Sequence, residues 1–336
     1  MTVRIGLIGA GGMGRAHVER IQNELAGGEV VAVADVNPDA AGYAESIGAR
    51  YFPTGPELIA DPGVDAVIIA TFGKVHAPDV IAAIRAGKPV LCEKPLATTA
   101  QDCLDILAAE QEAGRKLVTV GFMRRFDKGY NEMRAQLTEG QHGYATMVHC
   151  RHRNPSVPGT LYTTRNMIDD TAIHEIDICR FLLDEEITTV RVDTPRRSSN
   201  APQGLQDPLV LVANTASGVR IDDEINVNIK FGYAIECELV MESGTVRLAD
   251  QDHTILRDIE GDRHAICRSH IDRFHDAFNA EVQQWIRAVE RGEHAGSTSW
   301  DGYAATCVVD AAIESLEHQG REVAVQMIDQ PAFYAG

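Results

Sequence analysis

The stretch DDTAIHEIDIC, Asp169 to Cys179, sets carboxylates and an imidazole among apolar residues. Asp170, His174 and Asp177 fall at i, i+4 and i+7, so on an α-helix they share one face. Such a trio can bind a metal, move a proton, or simply face water. A metal wants further ligands at recognisable spacing, and the H-E-x-x-H pattern is broken at Ile178. Histidine titrates near neutrality, so if the trio moves a proton, His174 is the group suited to do it. Asp177 either supports Asp170 and His174 or caps a neighbouring element. Earlier in the chain, CEKPLATT places Glu93 and Lys94 directly before Pro95. A lone strand-end lysine is ordinarily a solvated charge, but an acid before it and a proline after it point to a positioned amine.

These residues need elements to carry them. Short apolar, β-branched runs recur over the first 120 residues: Val3–Ile8, Val30–Val36, Ala66–Thr71, Pro89–Pro95 and Lys116–Phe122. Helical patterns lie between them at Met13–Leu25, Pro78–Ala86 and Ala100–Ala113. Buried strands alternating with helices predict a doubly wound parallel sheet, an α/β fold with ligands beyond the carboxyl ends of its strands. Lys94 and Glu93 then arrive at a ligand crevice.

The first of those strand ends is GAGGMG, in which Gly9, Gly11 and Gly14 match G-x-G-x-x-G and enclose Gly12 and Met13. Alone this pattern is weak. Here a strand precedes it, a helix follows, and Asp35 ends the second strand-like run, which is the context of a dinucleotide site. The glycines allow a tight turn and close approach of a pyrophosphate, and the helix N-terminus supplies N–H donors. The Asp35 carboxylate suits a ribose diol and repels a 2′-phosphate, and its neighbours VNPD contain no arginine, so NAD is favoured over NADP. Asn37 before Pro38 is the better cap for the next helix.

From about residue 123 the pattern changes. A helix over Gly129–Leu137 precedes YATMVHCRHRN and the opening stretch; a long tract with period-two alternation follows, from Ile187 to Ala249. Two helical segments, Ile271–Arg291 and Gly302–His318, and a last strand-like REVAVQ close the chain. The expectation is two domains: residues 1–122, dinucleotide-binding, and residues 123–336, α+β with a large open, mostly antiparallel sheet.

Composition limits the function classes. A formal charge of −18 without a basic run disfavours nucleic acid as partner. No run of eighteen apolar residues predicts a membrane span, and the start MTVRIGLIGAGG lacks the layout of a signal peptide, so a cytoplasmic chain is expected. Seven scattered cysteines without a CxxC pair predict reduced, mostly buried thiols.

Taken in order, the Gly-rich turn, Asp35, EKPLA, GFMRRFDKGY and DDTAIHEID resemble the glucose–fructose oxidoreductase/inositol dehydrogenase (Gfo/Idh/MocA) family over essentially the whole chain. The segments GFMRRFDKGY and HRNP are most similar to its inositol 2-dehydrogenases. The resemblance implies a Rossmann-type first domain and NAD-dependent oxidation of myo-inositol to 2-keto-myo-inositol by a homotetramer associating through the open sheet face. It further implies that Lys94, Asp170 and His174 are catalytic and that Met123, Arg124, Asn154 and Tyr233 line the polyol pocket. Thr71, Phe72 and His76 are expected beside the nicotinamide, together with Glu93 and Lys94; TFGKVHAP departs there from the Thr-Pro-Asn of many members. Spacing does not separate ring epimers, so another inositol or a pyranose remains an alternative substrate. A sugar-sensing regulator without chemistry is a rival of a different class, and it predicts loss of Lys94 or His174.

Overall fold

The computed structural model describes residues 2–158, 161–249, 255–259, 261–263 and 265–335. The chain forms two compact units: Met1–Met123 with Phe278–Thr306 and Ile328–Gly336, and Arg124–Ala277 with Cys307–Met327.

The first unit begins with β1 (Val3–Ile8), α1 (Gly12–Asn23), β2 (Gly28–Ala34), α2 (Ala40–Ser46), β3 (Arg50–Phe52) and α3 (Gly55–Ala60). It continues with β4 (Ala66–Ile69), α4 (His76–Arg85), β5 (Val90–Glu93), α5 (Ala100–Ala113) and β6 (Val118–Gly121). Its six strands run parallel in the order β3-β2-β1-β4-β5-β6. Helices cover both faces of such a sheet, which is why β4, β5 and β6 are buried at every residue. The order reverses between β1 and β4, and the strand ends beside that reversal carry Gly9, Asp35, Thr71 and Glu93. A side-chain cap starts α5, where Thr99 accepts the Asp102 N–H at 3.1 Å, and Gly114, at φ 65°, ends it.

Two features depart from the sequence expectation. The strand β3 is a three-residue edge element with no apolar run to announce it. More importantly, the second unit does not contain everything after residue 122. Within α9 (His275–Arg291, numbered by its place in the chain after the second-unit elements given below), Val282, Trp285, Ile286 and Val289 make a stripe at i, i+3, i+4 and i+7. That stripe packs in one core with Ile5, Ile21 and Val30. At the chain's end the Tyr334 hydroxyl meets Glu110 at 2.9 Å, and Glu110 accepts the Leu117 and Val118 N–H groups. Burial of an apolar stripe and of one carboxylate thus returns the chain to its first unit.

The second unit holds a 3₁₀ turn (Met123–Phe126, from its second residue), α6 (Lys128–Thr138), β7 (Ala145–Arg153), a π-helical segment (Met167–Ala172), α7 (Ile173–Leu183), β8 (Ile187–Asp193) and β9 (Leu209–Thr215). After these come β10 (Arg220–Asn226), β11 (Ala234–Met241), β12 (Gly244–Arg247), β13 (Leu256–Asp258), β14 (Gly261–Arg263) and the short α8 (His270–Arg273), then α9; α10 (Ser299–Glu317) leads to β15 (Val323–Ala324). Seven strands form a sheet in the order β12-β11-β7-β10-β9-β8-β15, antiparallel except for the β7–β10 pair. Strict alternation sends Val148, Cys150 and His152 of β7, Asp223 of β10 and Cys237 of β11 to the inner face. The other face carries interlocked pairs, Arg151 and Arg153 with Glu224 and Glu236. All seven cysteines are free thiols and six are buried, matching their expected role as small apolar side chains. No helix among the described residues is long and apolar enough to cross a membrane.

Candidate functional site

In the first unit the glycine turn divides its labour by position. Gly9 sits at φ +96°, and a side chain there would strike the Ala70 carbonyl at 2.7 Å. Gly14 lets α1 pack on the turn, since a Cβ would lie 2.0 Å from the Gly9 oxygen. Gly11 and Gly12 have open space where a side chain would stand. That space borders the N-terminus of α1, whose first turn holds no acidic residue, so free N–H groups and the helix dipole await an anion. Met13 follows, half-buried.

Asp35 closes the loop. Its two oxygens accept the Ala10 N–H at 2.7 Å and the Asn37 N–H at 2.8 Å, and each retains lone-pair capacity for a ribose hydroxyl. Asn37 does not cap α2 as expected; its side chain accepts the Asp39 N–H at 3.1 Å, and the helix begins at Ala40. An open, anion-ready turn followed by a carboxylate at the second strand end fits a dinucleotide.

Two loops meet beyond β4 and β5. Phe72 is 82% exposed, and Thr71 is half-buried. His76 is fully buried: its ring nitrogens lie 3.0 Å from the Thr71 carbonyl and 2.8 Å from that of Pro95. The ring therefore ties the loop after β4 to the turn after β5. Glu93 is 8% exposed, and Lys94, next to it, is partly exposed. The Glu93 carboxylate receives the His17 ring nitrogen at 2.6 Å. Burial opposes its charge, but the His17 hydrogen bond and the nearby cations outweigh that and hold its pKa below the usual range.

In the second unit the opening stretch is not one α-helix. The π-helical segment over Met167–Ala172 precedes α7, which begins at Ile173, so Asp170 lies in the wider turn and His174 and Asp177 in the regular helix. Asp170 is exposed, and His174 is 9% exposed with its ring centroid 6.3 Å from that of His152. Asp177 is buried and accepts from Nε and Nη2 of Arg125, at 2.9 and 2.6 Å, a fork that makes it a structural anchor. Single-turn π elements occur often at functional sites because they offset the side chains on either side.

Of the polyol-lining candidates, Met123, Arg124 and Tyr233 are buried and Asn154 is half-buried. Arg124 is 1% exposed and pairs with Glu175, with its Nη2 3.2 Å from His152. His152 in turn lies 2.9 Å from Glu175 and edge-on to Tyr233, with ring centroids 5.6 Å apart. Burial pushes the Tyr233 hydroxyl up to about 12, against the Arg124 charge, so this phenol is a hydrogen-bonding group at neutral pH. Asn154 is held through its backbone, its N–H donating to Asn226 at 2.8 Å and its carbonyl accepting from Ile229 at 3.0 Å.

Sequence reasoning missed Glu175, His152, His17 and Arg20. A signal existed for each: His152 occupies an inward phase of β7, Glu175 interrupts an apolar helix, and His17 and Arg20 lie beside Val18 and Ile21 on the buried face of α1.

Comparison with known proteins places this geometry in context. Residues 3–122 match the Gfo/Idh/MocA oxidoreductase family's NAD-binding Rossmann fold, and residues 130–247 match a C-terminal domain of that family. The chain is 48% identical to inositol 2-dehydrogenase 3 of Saccharopolyspora erythraea, covering 100% of this chain and 99% of that protein. It is 45% identical to inositol 2-dehydrogenase of Acidothermus cellulolyticus, over 99% and 98%. Among solved structures, myo-inositol dehydrogenase from Lactobacillus casei, in complex with NAD(H) and myo-inositol, superposes with a TM-score of 0.96 at 37% identity, over 99% of this chain and 100% of that one.

Proposed function

Because the chain belongs to the Gfo/Idh/MocA family of NAD-binding oxidoreductases, we propose that it oxidises myo-inositol to 2-keto-myo-inositol (scyllo-inosose). The coarser statement, that it is an NAD-dependent oxidoreductase acting on CH–OH groups, follows from the family and its inositol dehydrogenase relatives. The observation that carries the finer one is 48% identity, over the whole chain, with an inositol 2-dehydrogenase, in a sequence that carries Lys94, Asp170 and His174.

In this reading His174 takes the proton of the reacting hydroxyl as the carbinol carbon gives up its hydride. Asp170 accepts a hydrogen bond from a substrate hydroxyl and orients the imidazole. Lys94 donates to the reacting oxygen and offsets the negative charge that grows there before the carbonyl forms. Bound NAD supplies the hydride acceptor. Gly9, Gly11, Gly12, Met13 and Gly14 hold its pyrophosphate, Asp35 its adenosine ribose, and Thr71, Phe72, His76 and Glu93 border its nicotinamide end. Met123, Arg124, Asn154 and Tyr233 supply the walls of the polyol pocket, directly or by fixing their neighbours. The presence of both Lys94 and His174 argues against a sensor without chemistry. We propose a homotetramer in the cytoplasm.

The test is purified protein with NAD and a panel of inositols and hexoses at mildly alkaline pH, followed by NADH absorbance. Turnover of myo-inositol above the other sugars is expected; preference for another epimer or a pyranose rejects the substrate. His174→Ala is expected to lower kcat by about 10²–10⁴-fold. Near-normal turnover in that variant rejects the mechanism.

A further inference from the structure

The helix α1 brings a second set of groups to the strand end that carries Lys94. His17 and Arg20 stand one turn apart on its inner face, both buried. Arg20 Nη1 lies 2.8 Å from His17 Nδ1, and His17 Nε2 lies 2.6 Å from Glu93 Oε1. A guanidinium can only donate, so Nδ1 of His17 is the acceptor and its ring proton sits on Nε2, pointing at the carboxylate. The direction of every hydrogen bond in the chain Arg20→His17→Glu93 is thereby determined.

The surroundings seal this chain. Phe278 meets the His17 ring edge-on, with centroids 6.4 Å apart, and lies under the Arg20 guanidinium at 4.8 Å. Buried Glu281 adds a negative charge that balances Arg20. On the other side of Glu93, the register of β5 and β6 sets Gly121 opposite it, where a Cβ would come within 3.1 Å of Glu93 Oε2. The sheet leaves a notch for the carboxylate, and α1 supplies the donor that holds it there.

We propose that His17, backed by Arg20, is a positioning residue of the reaction: it locks the Glu93 carboxylate in its notch and so holds Lys94, the next residue, in working position. This rests on the oxidoreductase reading above. Without the His17 donor, a carboxylate buried at the end of β5 must either take up a proton or swing toward water. Either response alters the strand end and the charge beside the Lys94 amine. Displacements of about 1 Å at a reacting group can lower rates by about 10²-fold, so a residue with no substrate contact acquires a kinetic effect.

Two variants separate positioning from mere packing. His17→Asn keeps an acceptor for Arg20 but is too short to reach Glu93, whereas His17→Gln extends an amide N–H to the carboxylate. His17→Asn is expected to lower kcat on the preferred polyol by about 10–100-fold with KM for the polyol within about twofold. His17→Gln is expected to recover most of that loss. A His17→Asn enzyme with undiminished kcat overturns the proposal, as does equal loss in both variants with parallel falls in Tm. Crystal structures of the two variants provide an arm independent of turnover: Glu93 leaves its notch in His17→Asn and keeps it in His17→Gln. An unmoved Glu93 in His17→Asn overturns the proposal even if the wild-type protein oxidises no polyol, an outcome that would separately reject the functional reading.

Discussion

Glu175 and Asp223 are both carboxylates buried in the second unit, and their partners make them ionise differently. Burial opposes the charge of Glu175, but Arg124 and His152 more than compensate and hold its pKa below the usual value. Asp223 has no hydrogen-bond partner on either oxygen among the described residues; burial, then the charge of Glu175, pushes its pKa well above 3.8. An unfolded chain releases that proton at about pH 4, while the folded chain keeps it to higher pH. Between those points the native state binds the extra proton, so this carboxyl's stabilising contribution is present at low pH and is lost as pH rises. Asp223→Asn removes that dependence. Its Tm should match the wild type near pH 4 and exceed it by about 1–2 °C at pH 8, roughly what 1 kcal/mol produces in a chain of this size. A Tm difference that does not grow with pH between those points would sink the argument.

The elements carry their function through small departures from regularity. In α1, two glycines that look alike in GAGGMG do different work, because one faces packed backbone and the other open space. Gly14→Ala should destabilise by about 1–3 kcal/mol, as overpacking does, and weaken NADH binding with it. Gly12→Ala should leave the Tm unchanged yet weaken NADH binding by about tenfold, or 1.4 kcal/mol, by filling the pyrophosphate space. Thermal denaturation and fluorescence titration of NADH separate the two; parallel behaviour of both variants would refute the division of roles. The π-helical segment is the other departure. Hydrophobic spacing in DDTAIHEIDIC is compatible with an ordinary helix, and the wider turn emerges only where Tyr162 meets Thr171 and the Asn166 carbonyl while Met167 and Ile168 are buried. Residue types in that stretch were legible, whereas its wider turn was not.

At the scale of the whole molecule, the outer face of the seven-stranded sheet is the surface to test for assembly. Half-buried Met147 and Val240 lie opposite each other on β7 and β11, beside the Arg151, Arg153, Glu224 and Glu236 pairs. Surface ion pairs add little stability individually, but a network around apolar side chains suits an interface between identical copies. Sedimentation equilibrium is expected to give four times the chain mass for the wild type and a smaller species for Val240→Asp. A wild-type monomer would refute the assembly.

The sequence by itself determined the parallel αβ order of the first unit, the glycine turn with Asp35, and the placement of Lys94 at a strand end. Each depends on local pattern: apolar periodicity or backbone freedom at glycine. Only the tertiary structure decided that α9 and the C-terminal residues return to the first unit, that Asp177 is anchored by Arg125, and that Glu93 is held by His17. Those outcomes depend on which apolar stripe or buried charge finds its partner far away in the chain. Burying an unpaired charge costs far more than local propensity can offset, so the partner is chosen by the assembled core rather than by neighbours in sequence.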